Sequence, residues 1–252
     1  MSDHVLTKIE NRVLTITFNR PEKKNALTHA MYATAAKAMK DAETDDGVRA
    51  ILFTGNGDAF TAGNDLIDFQ QAGGVSGDMP VQHFLEALVA ADKPIVVAVN
   101  GIGVGIGFTM LLHSDLVYMA EGAQIQAPFV DLALVPEAAS SLLLVNRVGH
   151  VKAAEIFMLG KRVSAQEAFD MGITNGVCTA DELLAVAGKT AVKLAKKAPR
   201  SLQMTKRLMR GDKQVLADRM ARESVHFGEQ LQSAEVMEAI TAFFEKRAPD
   251  FG

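Results

Sequence analysis

Cysteine is nearly absent from this 252-residue chain, in which Cys178 is the single example. A lone cysteine excludes an internal disulfide framework and a metal cluster built on cysteine thiolates. We interpret Cys178 as a small buried hydrophobic side chain. Clusters of histidine and carboxylate residues at metal-ligand spacing are also missing, so no metal site is predicted.

Positive charge is not in excess. The chain has 26 Lys and Arg residues against 30 Asp and Glu residues, a net charge of −4, and this balance gives no reason to expect a nucleic-acid partner. The first residues lack the basic and apolar regions of a signal peptide, and the last residues carry no peroxisomal Ser-Lys-Leu signal. We therefore expect a cytoplasmic location.

Long uninterrupted apolar runs are lacking as well. Residues 94–112 carry no Asp, Glu, Lys or Arg, but Pro94, Asn100 and four glycines interrupt them. Because about 20 consecutive apolar residues are needed to cross a bilayer, no membrane span is predicted, and no membrane partner is expected.

Several catalytic and nucleotide-binding signatures are missing from the sequence, namely GxGxxG, GxxxxGK[ST], GxSxG and HExxH. Their absence argues against a dinucleotide fold, a phosphate-binding P-loop, a nucleophilic serine and a zinc protease helix.

The patterns that are present predict mixed strands and helices followed by helices alone. Strands are predicted at 5–9, 13–18, 48–54, 94–99, 115–120 and 123–126. Helices are predicted at 29–43, 81–91, 140–148, 151–159 and 164–171, and from 181 to the end with breaks near Pro199 and Gly211. We predict an α/β core (1–198) and a helical C-terminal extension (199–252) that makes oligomer contacts.

One glycine-rich run, Asn100-Gly101-Ile102-Gly103-Val104-Gly105-Ile106-Gly107-Phe108, lies between a predicted buried strand and a predicted buried helix. A second glycine turn, Ala62-Gly63-Asn64-Asp65, also precedes a predicted helix. Free N–H groups at a helix start attract negative charge. Two such turns aimed at one point would form an oxyanion hole; the alternative is a packing turn without chemistry.

Three separated segments resemble the enoyl-CoA hydratase/isomerase (crotonase) superfamily. They are Asn19-Arg20-Pro21 with Lys24-Asn25-Ala26-Leu27, then Ala59-Phe60-Thr61-Ala62-Gly63-Asn64-Asp65-Leu66, then Val99-Asn100-Gly101 through Gly107. The likeness extends in order from about Val13 to Arg247, and residues 243–251 also resemble the ending of that family.

The resemblance implies an α/β spiral of ββα units with a C-terminal trimerisation region, in a homotrimer or a dimer of trimers. It implies an acyl-CoA thioester substrate, in which coenzyme A is part of the substrate, and no separate cofactor. By position in the motifs, the backbone N–H groups of Asn64 and Ile106 would hold the thioester oxygen as an enolate forms.

The hydratases of this family carry two glutamates, and both are replaced in this chain. Their positions correspond to Thr109 and Phe129. Neither side chain can act as a base near neutral pH, so a straightforward hydratase is disfavoured.

One acid remains in a suggestive place. Glu137, in Val135-Pro136-Glu137-Ala138-Ala139-Ser140-Ser141, resembles the proton-shuttling glutamate of the peroxisomal-type Δ3,Δ2-enoyl-CoA isomerases. The resemblance implies isomerisation of a 3-enoyl-CoA to a 2-enoyl-CoA, with the pKa of Glu137 raised by apolar neighbours. The alternative for Glu137 itself is an exposed loop carboxylate without a catalytic role. The alternatives for the protein are an enoyl-CoA hydratase or another crotonase-type reaction, and a non-catalytic acyl-CoA-binding protein.

Further residues are expected to contact the substrate by the same resemblance: Lys23, Lys24, Ala26, Ala62, Gly63, Asp65, Leu66, Gly105, Phe244 and Lys246. For either lysine alone, a solvated surface charge is an equally good interpretation. His113 is interpreted as a core or interface histidine. Leu85, Leu88, Met110 and Leu111 are expected in the core or in the wall of an acyl pocket.

Overall fold

Two β-sheets, in which most neighbouring strands are parallel, form the framework of the molecule in the computed structural model. The structure describes residues 3–65, 67–68 and 79–252. The strands are Val5–Glu10 (β1), Val13–Phe18 (β2), Ala50–Gly55 (β3), Ala59–Thr61 (β4), Ile95–Val99 (β5), Ile102–Val104 (β6), Leu116–Ala120 (β7), Gln124–Gln126 (β8), Val163–Ser164 (β9) and Gly176–Cys178 (β10).

The helices surround these sheets and continue to the end of the chain. They are His29–Thr44 (α1), Pro80–Ala90 (α2), Ile106–Thr109 (α3), Ser140–Val148 (α4), His150–Met158 (α5), Ala165–Asp170 (α6), Ala180–Ala195 (α7), Pro199–Arg210 (α8), Lys213–Leu231 (α9) and Ala234–Glu245 (α10). Short 3₁₀ turns occur at Pro21–Lys23, Met110–His113 and Val130–Leu132.

From β3 to β8, consecutive strands along the chain alternate between the two sheets. The larger sheet has the order β1-β2-β3-β5-β7-β10, and the smaller has the order β4-β6-β8-β9. Each of the pairs β3/β4, β5/β6 and β7/β8 therefore adds one strand to each sheet, which produces a spiral. Every residue of β3 and β5 is buried, as expected for parallel strands that are covered on both faces.

The predicted elements with strong local signals are confirmed. β1 and β2 form an antiparallel hairpin, α1 begins after Thr28, whose side chain accepts the Met31 N–H, and Ser164 and Glu167 form a capping box at the start of α6. The short elements were predicted less well. β4 lies where the sequence suggested the approach to a helix, β6 lies inside the glycine-rich run, and Cys178 is half-buried in β10.

The C-terminal helices are attached to the core by long basic side chains. The Lys206 ammonium donates to the Lys93 carbonyl over 2.7 Å and pairs with Asp115 at 2.7 Å. Arg210 donates to the carbonyls of Leu88 and His113. These contacts hold α8 against the core within one chain; the division at residue 198 stays a prediction.

A membrane-spanning helix was not expected, and within the described parts of the chain no helix has the length and apolar character to cross a bilayer.

Candidate active site

The first glycine turn is held in place by the loop that precedes α1. Asn25 is fully buried, and its amide donates to the carbonyls of Asn56 and Ala59 at 2.9 and 2.8 Å. The backbone of Leu27 forms a parallel bridge at Asn64. That bridge uses the Gly63 carbonyl and the Asp65 N–H, so the Asn64 N–H lies outside the pairing.

Asp65 shapes this turn from its other side. Its carboxylate pairs with Arg20 at 2.6 Å and accepts the N–H groups of Ile67 and Asp68 at 3.1 Å each. Such local hydrogen bonding is typical of a carboxylate near the start of a helix, and the contact of Asp65 with the substrate stays a prediction.

The second glycine turn packs directly against the first. Gly105 has a φ of 56° and a ψ of −116°, a conformation open essentially to glycine alone. A Cβ atom on Gly107 would lie 2.7 Å from Thr61 Cγ2, and one on Gly63 would lie 3.0 Å from the Val104 carbonyl oxygen. Glycine at these positions therefore lets the two turns approach at backbone distance. Ile106 is the first residue of α3, where an N–H has no partner within the helix.

A cavity of about 260 Å³ opens beside the first turn. It is lined mainly by α2 and α9, and both Asn64 and Glu137 lie in its wall. The other lining residues are Met79, Val81, Gln82, Leu85, Glu86, Ala217, Met220, Ala221, Ser224 and Phe227. The wall is mostly apolar, which suits a ligand with a hydrocarbon part.

Glu137 is the half-buried acid of this cavity, whereas Glu86 is exposed. Burial raises the pKa of Glu137 to about 7, the hydrogen bond from Thr109 opposes that rise, and the charge of Glu223 adds to it. The Thr109 hydroxyl donates to Glu137 Oε1 over 2.5 Å. The prediction of a raised pKa for Glu137 is confirmed in direction, and the interpretation as an exposed loop carboxylate is wrong.

Tyr32 is a neighbour of the site that sequence reasoning missed. Its phenol donates to the side-chain oxygen of Asn64, and its ring lies 5.6 Å from that of Phe84. Burial, and then the charge of Glu137, raise the pKa of the Tyr32 phenol well above its ordinary value. Tyr32 therefore stays neutral and acts as a hydrogen-bond donor beside the cavity.

The two positions that correspond to hydratase glutamates have different surroundings. Thr109 is fully buried and contacts Glu137. Phe129 is buried, and its ring lies 6.1 Å from that of Phe157. The first position therefore supports the remaining acid, and the second belongs to the core.

The predicted substrate residues fall into separate regions. Gly63 and Asp65 lie in the first turn beside Asn64, and Gly105 lies in the second. Lys23, Lys24 and Ala26 lie in the loop before α1, where Lys24 pairs with the exposed Asp58, and Ala62 donates its N–H to the Lys24 carbonyl. Leu66 lies outside the described residues. Phe244 is about half exposed in the last turn of α10, and Lys246 follows that helix; neither lines the cavity.

The contribution of α9 to the cavity wall was missed by sequence reasoning. Its cavity-lining residues recur at helical spacing, Ala217, Met220, Ala221, Ser224 and Phe227, but the sequence does not show which partner such a face meets. Leu85 also lines the cavity, whereas Leu88, Met110 and Leu111 are core residues. His113 is buried, as interpreted, with Nε2 2.6 Å from the Ala138 carbonyl oxygen.

A metal site was not expected, and the described residues contain no group of three His, Cys, Asp or Glu side chains that could hold a metal ion.

Comparisons with known proteins give a consistent family match. The sequence model of the enoyl-CoA hydratase/isomerase family matches residues 8–252. The chain is 34% identical over 253 residues to enoyl-CoA delta isomerase 2 of Rattus norvegicus, covering 98% of this chain but only 64% of the rat protein. It is 31% identical over 255 residues to 2,3-dehydroadipyl-CoA hydratase of Escherichia coli (strain K12), covering 100% of this chain and 99% of that protein.

A solved structure agrees with the fold throughout. The crystal structure of an enoyl-CoA hydratase/isomerase from Pseudoalteromonas atlantica T6c has a TM-score of 0.96 and 47% identity, covering 99% of this chain and 100% of that one. The predicted α/β crotonase-type fold is confirmed by this match.

Proposed function

Because the chain belongs to the enoyl-CoA hydratase/isomerase family, we propose that it moves the double bond of an enoyl-CoA from C3 to C2. Glu137 is the proton shuttle, and the backbone N–H groups of Asn64 and Ile106 stabilise the thioester oxygen. The observation that carries this proposal is that Glu137, with a hydrogen bond from Thr109, lines the same cavity as Asn64.

The proposed reaction needs one base that acts twice. The Glu137 carboxylate takes a proton from C2 of the 3-enoyl-CoA, and the electron pair moves onto the thioester oxygen to give a dienolate. The two backbone N–H groups stabilise that negative oxygen. Glu137 then returns the proton at C4, which leaves the double bond between C2 and C3, so atoms and charge balance without a further reactant.

The raised pKa of Glu137 suits both halves of this cycle. A group with a pKa of about 7 is ionised in a substantial fraction of molecules at neutral pH, and its carboxylate is a stronger base than an ordinary carboxylate. Once protonated it is still acidic enough to return the proton to the much more basic dienolate carbon. Because the Thr109 hydroxyl binds Oε1, Oε2 is left to exchange the proton.

Hydration is the second candidate, and it is favoured by the similarity to the 2,3-dehydroadipyl-CoA hydratase. In that case Glu137 would activate water, without a second glutamate at position 109 or 129. The residues at those positions are a buried threonine and a buried phenylalanine, which supports isomerisation over hydration.

The two reactions are separated by incubating the purified protein with crotonyl-CoA and with a 3-enoyl-CoA in separate assays. The proposal predicts conversion of the 3-enoyl-CoA to the conjugated 2-enoyl-CoA and little hydration of crotonyl-CoA. Hydration of crotonyl-CoA without a shift of the 3-enoyl-CoA would contradict isomerisation. Tight CoA-ester binding without turnover of either compound would favour a non-catalytic acyl-CoA-binding protein.

A homotrimer, or a dimer of trimers, is proposed for the assembled protein. Exposed apolar side chains on the C-terminal helices support this proposal: Leu208 and Met209 of α8 are 83% and 81% exposed. Large exposed apolar patches usually mark interaction surfaces.

A further inference from the structure

The segment that follows Glu137 has an unusual backbone. Ala138 and Ala139 have φ angles of 59° and 55°, so two successive alanines adopt the left-handed conformation. A residue with a Cβ atom is disfavoured there, and such conformations persist only where the surroundings enforce them. Something outside residues 137–141 must therefore hold this segment, which we call the Glu137 loop.

A buried carboxylate of α9 supplies that contact. Glu223 is 7% exposed, and its Oε2 accepts the Ala139 N–H over 2.6 Å. Its Oε1 accepts the N–H and the hydroxyl of Ser141 at 3.0 and 2.5 Å. Both carboxylate oxygens therefore bind the loop, on either side of Ser140.

An apolar contact from the same helix adds to this attachment. Leu216, two turns before Glu223 on α9, packs in one buried cluster with Ala139 and with Val89 of α2. The polar and the apolar contacts of α9 therefore meet at the same left-handed residue of the loop.

We propose that Glu223 is a positioning residue, which fixes the left-handed Glu137 loop and so keeps the Glu137 carboxylate in the cavity wall. This inference rests on the proposed function of Glu137 as the base. It assigns α9 two roles, because the same helix lines the cavity through Ala217, Met220, Ala221, Ser224 and Phe227.

Charged and titratable groups from several elements surround this pair of carboxylates. Burial raises the pKa of Glu223, while the hydrogen bonds from Ser141 and Ala139, and then the charge of Arg219 of α9, act in the opposite direction. Around Glu137 are Tyr32 of α1, Thr109 of α3 and Glu223 itself, and the imidazole of His113 contacts the carbonyl of the neighbouring Ala138. Burial lowers the pKa of His113 to about 4, so His113 is neutral near pH 7. The charge of Glu223 raises the pKa of Glu137.

The test is the Glu223→Gln variant, with isomerisation of a 3-enoyl-CoA measured as a function of pH. Glutamine offers one acceptor oxygen where the carboxylate offers two, so either Ala139 or Ser141 loses its partner. We expect kcat to fall roughly 10- to 100-fold, because small displacements of a catalytic group have effects of that size, with little change in KM. Activity should be lost at low pH as Glu137 becomes protonated, and we call this part of the pH profile its acidic limb. Because the charge of Glu223 raises the pKa of Glu137, the acidic limb of the variant should move to lower pH.

Two further variants make the result specific. Ser141→Ala removes the hydroxyl hydrogen bond to Glu223 but keeps the charge and both backbone hydrogen bonds, so kcat should fall measurably, by less than about tenfold, and its acidic limb should not move. Glu229→Gln changes an exposed carboxylate of the same helix that pairs with His226, and it should behave as wild type. If Glu223→Gln fails to fold, reduced kcat in Ser141→Ala supports the inference and wild-type kcat overturns it.

The outcomes also separate this inference from the proposed function. Wild-type kcat and an unmoved acidic limb in folded Glu223→Gln, with Glu137→Gln inactive, would overturn the positioning role alone. Full activity of Glu137→Gln would overturn the proposed function, and the positioning role with it.

Discussion

At the scale of single residues, the surroundings of Glu137 determine what it can do. Burial favours its neutral form, and the Thr109 hydroxyl favours its charged form. The result is a carboxyl group with a pKa of about 7 instead of a permanently charged surface group. Thr109 therefore does more than stand in place of a glutamate, because its hydrogen bond lowers the pKa of Glu137.

Replacing Thr109 with valine tests this tuning. The change removes the donated hydrogen bond but keeps the side-chain shape, so the pKa of Glu137 should rise further. The acidic limb of kcat/KM should move above pH 7, and activity should fall more at pH 6 than at pH 9, as a pH profile would show. Thr205→Val, on the exposed face of α8, is the control. A limb that stays in place or moves to lower pH would contradict the assignment.

Replacing Glu137 with glutamine should stabilise the folded protein at alkaline pH. The carboxyl has an ordinary value of 4.5 and a raised folded value of about 7, so the folded state binds the proton more tightly. Wild-type stability is therefore lost as pH rises from about 4.5 through 7, by at most about 3 kcal/mol. Thermal unfolding at pH 5 and pH 8.5 should show a gain for the variant only at the higher pH; an equal difference at both would contradict it.

At the scale of elements, the two glycine turns are placed by one another. Thr61 meets Gly107, and Val104 meets Gly63, at distances that exclude a side chain. The Asn25 amide and the Arg20–Asp65 pair then hold the first turn from outside. The position of the Asn64 and Ile106 N–H groups therefore depends on several short elements together.

Gly107→Ala should separate these turns. Its Cβ would lie 2.7 Å from Thr61 Cγ2 and 3.1 Å from the Thr61 carbonyl oxygen. We expect a loss of kcat of roughly 100-fold if the turn moves by about 1 Å, measured in the isomerase assay. Gly188→Ala is the matched control, since nothing lies within 4 Å of its Cβ; inside α7 it should raise stability by up to about 1 kcal/mol. Wild-type kcat in Gly107→Ala would show that close packing of the two turns does not control the position of these N–H groups.

The sequence predicts the elements with strong local signals and misses several of the shortest ones for a physical reason. α1 and α6 have caps, and β3 and β5 are continuous apolar runs, so their signals are local. β4, β6 and β10 have three residues each, too few to show a period, and they form only because a neighbouring strand is present.

The same distinction separates the residues of the candidate site that the sequence predicts from those that it does not. Asn64, Ile106 and Glu137 could be proposed from motifs that are contiguous in sequence. The roles of Tyr32 and Glu223 could not, because Tyr32 meets Asn64 across 32 positions and Glu223 meets Ala139 across 84. Only the folded chain brings such pairs together.

At the scale of the whole molecule, the C-terminal helices both line the cavity and present exposed apolar side chains. One face of α9 closes the cavity of its own chain, while Leu208 and Met209 of α8 remain exposed. The first arrangement lets each chain supply this part of its own cavity wall. The second leaves exposed apolar side chains, which supports the proposed self-association.

Replacing Leu208 and Met209 with lysine together should weaken self-association. Charged side chains are costly to bury in an interface, so the variant should dissociate at concentrations where wild type is a trimer or a hexamer. Sedimentation velocity gives the masses directly. Leu6→Lys, on β1, is a control for the same type of change away from these helices. A monomeric wild type, or an unchanged assembly in the variant, would contradict the proposal.

The most direct test of Glu137 as the catalytic base is the rate at which Glu137→Gln converts a 3-enoyl-CoA to the 2-enoyl-CoA, with acyl-CoA binding measured in parallel. We expect a loss of roughly 10²–10⁴-fold or more in kcat with binding retained. Glu86→Gln, at the exposed carboxylate of the same cavity, should keep near-normal kcat. Near-normal turnover by Glu137→Gln would contradict the assignment of Glu137 as the base.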